Sequence, residues 1–181
     1  LAQMPLAAVE TALRLASKGG ARIAVDVDLP PSQMTGKAGI GTKAELARIL
    51  NLTAILNPTL AAAAELTGRG GALAAARALA ARGFPVVAVT DGARGAALAT
   101  GRHACRIPAF RIRRAVDATG AGDAFFGGLL AGLSRGLSPA DAARLGSACG
   151  SVCVETVGAF PPPGALGRIL SRYHGPWVPR G

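Results

Sequence analysis

The 181-residue sequence predicts an α/β fold with a mainly parallel sheet. Short runs rich in Val, Ile and Ala alternate with longer segments of helical periodicity, several of which end at glycine. Strands that alternate with helices favour right-handed crossovers, which place helices on both faces of the sheet. Ligands of such sheets bind beyond the carboxyl ends of the strands, so polar turns at those ends are the first candidates for a site.

The first half of the chain predicts three strands separated by helices. Apolar side chains recur at helical spacing over 5–18, and the Pro- and Gly-rich stretch 29–42 predicts a loop. The predicted helices are 5–18, 44–50, 61–66 and 72–82, and the predicted strands are 22–26, 53–56 and 86–90. The last of these strands is a run of Val and Ala, which is typical of burial on both faces.

The second half predicts an antiparallel hairpin followed by helices. The hairpin strands are 96–99 and 102–107, and the helices are 121–133, 139–154 and 165–173. The sequence has no internal repeat and no low-complexity tract, and its last six residues are typical of a loose end. We therefore expect one domain over 1–175 and a tail over 176–181.

Composition argues against nucleic acid as a partner. Hydrophobic residues make up 50% of the chain and aromatic residues 4%, so Ala, Leu and Val must supply most of the core. The formal net charge is +10, but the arginines are scattered except at Arg111, Arg113 and Arg114. Aromatic residues do not alternate with them, as a platform for stacked bases would require. We expect no nucleic-acid partner.

Neither a membrane span nor a disulfide framework is predicted. The sequence has no apolar run near eighteen residues and no basic patch followed by an apolar stretch at its start. Cys105, Cys149 and Cys153 lack His or Cys partners at zinc-ligand spacing, so we expect buried, reduced thiols. These features predict a protein of the cytoplasm, or of another reducing intracellular compartment, with no membrane partner.

The most informative segment is 117–128, Asp-Ala-Thr-Gly-Ala-Gly-Asp-Ala-Phe-Phe-Gly-Gly. Its small residues allow the N–H groups of Gly120, Ala121 and Gly122 to converge on an anion at a helix start. The Asp123 carboxylate would repel a bound phosphate, but it has a role if it accepts the proton of a hydroxyl that attacks phosphorus. The segment indicates phosphoryl transfer; the alternative is an ordinary strand-to-helix turn with Asp123 as a helix-start acid.

The full 117–128 segment closely resembles the C-terminal signature of the ribokinase-like (PfkB-type) carbohydrate kinases. The Walker pattern of other phosphate loops is absent. Residues 86–98, VVAVTDGARGAAL, resemble a strand of that family that ends in Thr-x-Gly-x-x-Gly, and 155–159 is similar to its closing Gly-Ala turn. The resemblance implies a ribokinase-like three-layer αβα sandwich whose N-terminal strands and lid are missing from this sequence, leaving its C-terminal nucleotide-binding and catalytic part.

The resemblance also implies an activity and its residues. ATP would donate its γ-phosphoryl group to a sugar or sugar-like alcohol, with Mg²⁺ bridging the phosphates. Asp123 would be the general base, and the N–H groups of Gly120, Ala121 and Gly122 would form the anion hole. The implied nucleotide-binding residues are Thr90, Gly92, Gly95, Ser147 and Gly158. Asp117 and Thr119 match positions near a monovalent cation such as K⁺, and homodimerisation of the full-length protein stays open.

Two departures from the family pattern keep a second function open. Family members carry Asn-x-x-Glu just before the Leu-Thr-Gly found here at 66–68, whereas Asn57 and Glu65 have a different spacing. This puts the handling of Mg²⁺ in doubt, because that glutamate helps organise the metal and phosphate. Together with the missing front of the fold, it favours a pseudokinase that acts as a regulatory or scaffolding subunit. The retained Asp123 favours an active enzyme.

Overall fold

The structure, a computed structural model, describes residues 4–36, 39–159 and 163–176. The helices are α1 (Leu6–Lys18), α2 (Pro31–Met34), α3 (Lys43–Leu52), α4 (Leu60–Thr67), α5 (Ala72–Ala81), α6 (Ala121–Ser134), α7 (Pro139–Cys153) and α8 (Ala165–Tyr173). The strands are β1 (Ile23–Val27), β2 (Thr53–Pro58), β3 (Val86–Thr90), β4 (Ala96–Thr100) and β5 (His103–Ile107). Within the described ranges, no helix is both long enough and apolar enough to span a bilayer.

The five strands form one sheet in the order β1-β2-β3-β4-β5. β1 pairs with β2 and β2 with β3, both in parallel, and helices make the crossovers. Only Gly101 and Arg102 join β4 to β5, and a connection of two residues permits antiparallel pairing alone. The sheet is therefore mixed, and the alternation of helices and strands predicted from the sequence is confirmed.

The main departure from the predicted elements lies in 29–42. This stretch was expected to be a loop, but it contains the one-turn helix α2 and a β-bridge between Thr35 and Gly41. Pro31 occupies the first helical position, where its fixed φ suits a helix and its missing N–H costs nothing. The predicted tail, 176–181, lies outside the described residues apart from Pro176.

The described residues divide into two compact units, the first comprising 4–89 and 99–104. In this unit α1 packs on α3 and α4 on α5. The carboxylate of Glu10 accepts hydrogen bonds from the guanidinium groups of Arg14, at 2.9 Å, and Arg48, at 2.8 Å. Because Arg48 lies on α3, this network ties α1 to α3.

The second unit comprises 90–98 and 105–176 and contains every candidate site residue named above except Asn57 and Glu65. Its helices α6 and α7 touch through their backbones: a Cβ on Gly128 would lie 2.8 Å from the Cα of Gly146. α7 in turn packs on α8, where Leu145, Ala148 and Tyr173 form a buried cluster with Phe110 against it. The glycines of the signature segment therefore serve helix packing as well as the loop that precedes α6.

Candidate active site

The loop before α6 is held in place by the side chain of Asp117. Its Oδ1 accepts the backbone N–H of Thr119 at 2.9 Å, and its Oδ2 accepts the N–H of Gly158, also at 2.9 Å. The hydrogen bond from Gly158, followed by that from Thr119, lowers the pKa of the Asp117 carboxyl below its ordinary value. One carboxylate therefore links the signature loop to the turn that follows α7.

Gly120 brings these two segments into backbone contact. It has a φ of 76° and stands immediately before the first residue of α6. A Cβ at this position would lie 2.5 Å from the carbonyl oxygen of Ala159 and 2.7 Å from its Cα. Only glycine combines the left-handed backbone with the absence of a side chain that this contact requires.

The start of α6 presents N–H groups and one carboxylate. The N–H of Ala121 donates to the carbonyl of Ala118 at 3.2 Å, whereas those of Gly120 and Gly122 have no acceptor among the residues described. Asp123 lies in the first turn and is exposed. Its carboxylate forms no hydrogen bond or ion pair with the described part of its unit. A helix start of this kind can hold an anion beside a carboxylate that is available to accept a proton.

Cys153 lies beneath the loop, at the end of α7. Its fully buried thiol is 3.6 Å from the carbonyl oxygen of Thr119 and 3.8 Å from that of Ala159, and it can donate weakly to either. Burial raises the pKa of the Cys153 thiol, and the negative charges of Asp117 and Asp123 raise it further. The thiol thus fills the space where the two loop segments meet.

The prediction of three buried thiols is wrong for one of them. Cys153 is buried and Cys149 is partly buried, with burial raising the pKa of Cys149 to about 11. Cys105, in contrast, is exposed on β5. β5 is the last strand in the sheet order, and of its residues only Ile107 is buried, so this strand cannot enclose a thiol.

The predicted nucleotide turn follows β3. Thr90 is the last residue of that strand, and Gly92–Arg94 form a single 3₁₀ turn. The N–H of Asp91 donates to the carbonyl of Gly95 at 2.7 Å, and the Arg94 guanidinium pairs with the Asp91 carboxylate at 2.6 Å. Gly95 has a φ of 91°, and a Cβ on it would lie 2.6 Å from the backbone nitrogen of Ala109.

Ser147, on α7, contacts the same segment that Gly95 touches. It is 8% exposed, and its Oγ donates to the carbonyl of Pro108 at 2.9 Å. The structure therefore brings Gly95 and Ser147 onto one stretch of backbone, 107–109, and it brings Asp117, Thr119, Gly120 and Gly158 together. The binding roles of these residues stay predictions.

Some participants in this geometry were not predicted from the sequence. The turn at 155–159 was, but not the backbone contact of Ala159 with Gly120, nor the carbonyl of Val154, which accepts the N–H of Val116 at 2.7 Å. Pro108 likewise acts through its carbonyl. Every residue has a backbone carbonyl, so the sequence carried no signal that Val154 and Pro108 act as acceptors. Cys153 could have been found from its position at the end of the helix before Gly158.

Asn57 and Glu65 belong to the first unit and have local partners there. Asn57 is 1% exposed, and its Nδ2 donates to Oδ1 of Asp26, its register partner on β1, at 2.9 Å. The two oxygens of Glu65 accept the N–H and the Oγ–H of Ser32, each at 2.7 Å. Asn57 thus links β2 to β1, and Glu65 separately links α4 to α2.

Comparison with known proteins identifies the family. The sequence profile of the pfkB family of carbohydrate kinases matches residues 1–163. A 160-residue segment, 86% of the chain, is 36% identical to a 1-phosphofructokinase from Rhodobacter capsulatus, of which it covers 46%. A 72-residue segment, 40% of the chain, is 44% identical to an inositol 3-kinase from Arabidopsis thaliana, of which it covers 20%.

Solved structures confirm the ribokinase-like α/β fold. A nucleoside kinase from Burkholderia thailandensis, in complex with inosine, matches 95% of the chain with a TM-score of 0.73 and 25% identity. A ribokinase from Thermotoga maritima matches 89% with a TM-score of 0.68 and 27% identity. The chain covers 54% and 52% of these two proteins, about half of each. It belongs to the pfkB family of carbohydrate kinases.

Proposed function

We propose that residues 1–175 are the nucleotide-binding and catalytic part of a kinase that transfers the γ-phosphoryl group of ATP to a hydroxyl of a sugar or sugar-like alcohol. Membership of the pfkB family supports this class of reaction. The names of the related 1-phosphofructokinase and inositol 3-kinase support a polyhydroxy acceptor. Because the chain covers only about half of its structural neighbours, the choice of acceptor is proposed only as a class.

The observation that carries the proposal is the carboxylate of Asp123. It is exposed in the first turn of α6, and it has no hydrogen bond or ion pair to the described residues of its unit. A general base must be free to meet an incoming hydroxyl, and this carboxylate stands beside the N–H groups of Gly120 and Gly122, where the transferred phosphoryl group would be held. In the proposed step, Asp123 accepts the hydroxyl proton as the acceptor oxygen bonds to phosphorus and the bond from phosphorus to the β,γ-bridging oxygen breaks.

The anion hole consists of N–H groups at the start of α6. The N–H groups of Gly120 and Gly122 have no acceptor in the described structure, so they are available to the transferred phosphoryl oxygens. The N–H of Ala121 would first have to leave the carbonyl of Ala118. We therefore assign Gly120 and Gly122 the larger share of the stabilisation, and Ala121 a share gained on closure around the phosphate.

The nucleotide would lie along 90–95, α7 and the turn at Gly158. The turn after β3 places Thr90, Gly92 and Gly95 at the carboxyl end of a buried strand, where ligands of parallel sheets bind. Ser147 is nearly buried and its hydroxyl donates to the carbonyl of Pro108. It would therefore act by positioning the backbone around Pro108 beside the adenine. The N–H of Gly158 donates to Asp117, which links this turn to the loop before α6, where the phosphates are proposed to bind.

The residues present fit a monovalent cation better than an Asn-x-x-Glu metal set. The Asp117 carboxylate, which accepts the N–H groups of Thr119 and Gly158, is the hard oxygen ligand that could face K⁺. The carbonyls of Thr119 and Ala159 instead lie against the Cys153 thiol, which fills the space between them. Both oxygens of Glu65 are engaged by Ser32, so Mg²⁺ would be held chiefly by phosphate oxygens and water.

The test combines nucleotide binding with product detection. Mg-ATP at about a hundred times its dissociation constant should stabilise the protein by roughly 2.7 kcal/mol in thermal unfolding. A panel of hexoses, sugar phosphates, inositols and nucleosides, followed by ³¹P NMR, should then reveal one phosphorylated class. Stabilisation by Mg-ATP without any product over the whole panel would favour the pseudokinase. No stabilisation would refute the nucleotide site.

A further inference from the structure

The segment that precedes the signature loop is anchored to α7 at two points. At one end, the carbonyl of Pro108 accepts the Oγ–H of Ser147 at 2.9 Å, and Phe110 packs against the buried cluster of Leu145, Ala148 and Tyr173. At the other end, the N–H of Val116 donates to the carbonyl of Val154 at 2.7 Å. The segment therefore runs beside α7 from Ser147, where the adenine is proposed to lie, to Val154, near the proposed phosphate site.

The chain between these anchors is longer than the distance that it spans. Ser147 and Val154 are about 10 Å apart along the helix axis, at about 1.5 Å per residue. The eight Cα-to-Cα steps from Pro108 to Val116 could reach about 26–29 Å when extended. The intervening backbone is therefore not fully extended, and Arg111, Arg113 and Arg114, here called the arginine segment, are all exposed.

The charge of the arginine segment is not neutralised locally. None of its three guanidinium groups has a hydrogen bond or an ion pair with any residue in the described ranges. The next carboxylate along the chain, Asp117, accepts two backbone N–H groups instead. Three uncompensated positive charges thus stand within six residues of Asp117 and the helix start that follows it.

We propose that the arginine segment is a cationic rim that captures the polyphosphate of the nucleotide and directs it to the start of α6. This inference rests on the proposed function, because it needs a nucleotide bound along α7. The segment joins the Ser147 anchor, on the side assigned to the base, to the Asp117 loop, on the side assigned to the phosphates. Exposed guanidinium groups without a carboxylate partner in the described residues suit capture by long-range attraction, which adds to the field of the helix start.

The test compares ATP with adenosine, which carries the base but no phosphate. The combined variant Arg111→Gln, Arg113→Gln and Arg114→Gln should bind ATP about tenfold more weakly at low salt, and the difference should shrink as salt increases. Its affinity for adenosine should be unchanged. The control variant Arg22→Gln, Arg69→Gln and Arg77→Gln removes the same charge from exposed arginines of the first unit and should bind ATP like the wild type.

Each other outcome has a definite meaning. Equal affinity and equal salt dependence in the wild type and the 111–114 variant would overturn the rim. An equal loss for ATP and adenosine would also overturn it, because it would reveal damage to the fold of the site. An equal loss of ATP affinity in the control variant would show that ATP responds only to the net charge of the protein, and it would overturn the proposal. Absence of ATP binding by the wild type would refute the proposed function itself.

Discussion

The backbone of Gly120 lies against the backbone of Ala159 so closely that a Cβ on the glycine would be 2.5 Å from the alanine carbonyl oxygen. This contact joins the start of α6 to the turn after α7, and the Asp117 carboxylate reinforces it through the N–H of Gly158. The candidate anion hole therefore owes its shape to a second segment, the turn after α7, which lies far along the chain from Gly120. Disturbing either segment should change the other.

Replacing Gly120 with alanine should disrupt this contact. Gly136 is a matched control, because its φ of 77° nearly equals the 76° of Gly120 and an added Cβ there meets nothing within 4 Å. Both changes carry the left-handed backbone cost of about 1–2 kcal/mol. Gly120→Ala should cost about 1–3 kcal/mol more from overpacking. Denaturant unfolding of both variants measures the difference, and equal stabilities would contradict the close contact.

Protonation of Asp117 in acid should remove its contribution to the stability of the fold. Its pKa is lowered in the folded state, mainly by the N–H of Gly158 and then by that of Thr119. Its contribution to stability is therefore complete above the unfolded pKa, about 4, and is lost as the pH falls through the lower folded pKa. Unfolding measured from pH 7 to pH 2 should show Asp117→Asn less stable than the wild type at pH 7, with the gap narrowing in acid. A gap independent of pH would disprove the assignment.

Asp117→Asn should also loosen the turn after α7. An asparagine side chain can accept through only one oxygen, so one of the two backbone N–H groups loses its partner. Faster hydrogen exchange at the amide of Gly158 or Thr119, with little change at amides in the middle of α7, is the expected signature. Unchanged exchange at both amides would mean that water or another group replaces the carboxylate.

Ser147 should contribute to stability through its bond to Pro108. Ser147→Ala leaves a carbonyl without its donor at a nearly buried position and should cost about 1 kcal/mol. Ser171→Ala is the control, since its Oγ donates to the carbonyl of Arg168 at the same distance, 2.9 Å, at an exposed site. Thermal unfolding should separate the two variants, and a larger loss for Ser171→Ala would contradict this role for Ser147.

The three thiols should differ sharply in reactivity. Cys105 is exposed, whereas burial raises the pKa of Cys149 to about 11 and also raises that of Cys153. A thiolate reagent such as DTNB at pH 8 should modify one thiol quickly in the native protein and all three after denaturation. Cys105→Ala should abolish the fast phase. A fast phase that survives this change would show that α7 opens readily.

Regular elements could be predicted where the sequence pattern is strong. The periodic apolar residues of α1 and the Val- and Ala-rich β3 match their predicted positions closely. The helix α2 was missed because Pro31 in a Pro-rich stretch favours a loop as much as a first helical turn. The exposure of Cys105 depends on the place of β5 at the end of the sheet order, which its residue types do not reveal.

The candidate site was predictable in its side chains and not in its backbone contacts. The 117–123 pattern indicated an anion site with a carboxylate, and the structure brings Asp117 and Gly158 together. The engagement of the Ala121 N–H by Ala118, and the carbonyls of Ala159 and Val154, were invisible because any residue can supply them. Tertiary packing alone decides which backbone groups remain available.

The most direct test of the central claim is the rate of phosphoryl transfer by Asp123→Asn with the acceptor that the panel identifies. Loss of a general base should lower kcat about 10²–10⁴-fold, while Mg-ATP still stabilises the variant in thermal unfolding. Asp141→Asn is the matched control, because Asp141 also lies in the first turn of its helix, α7, and its kcat should stay near that of the wild type. A kcat for Asp123→Asn equal to that of the Asp141→Asn control would contradict the account.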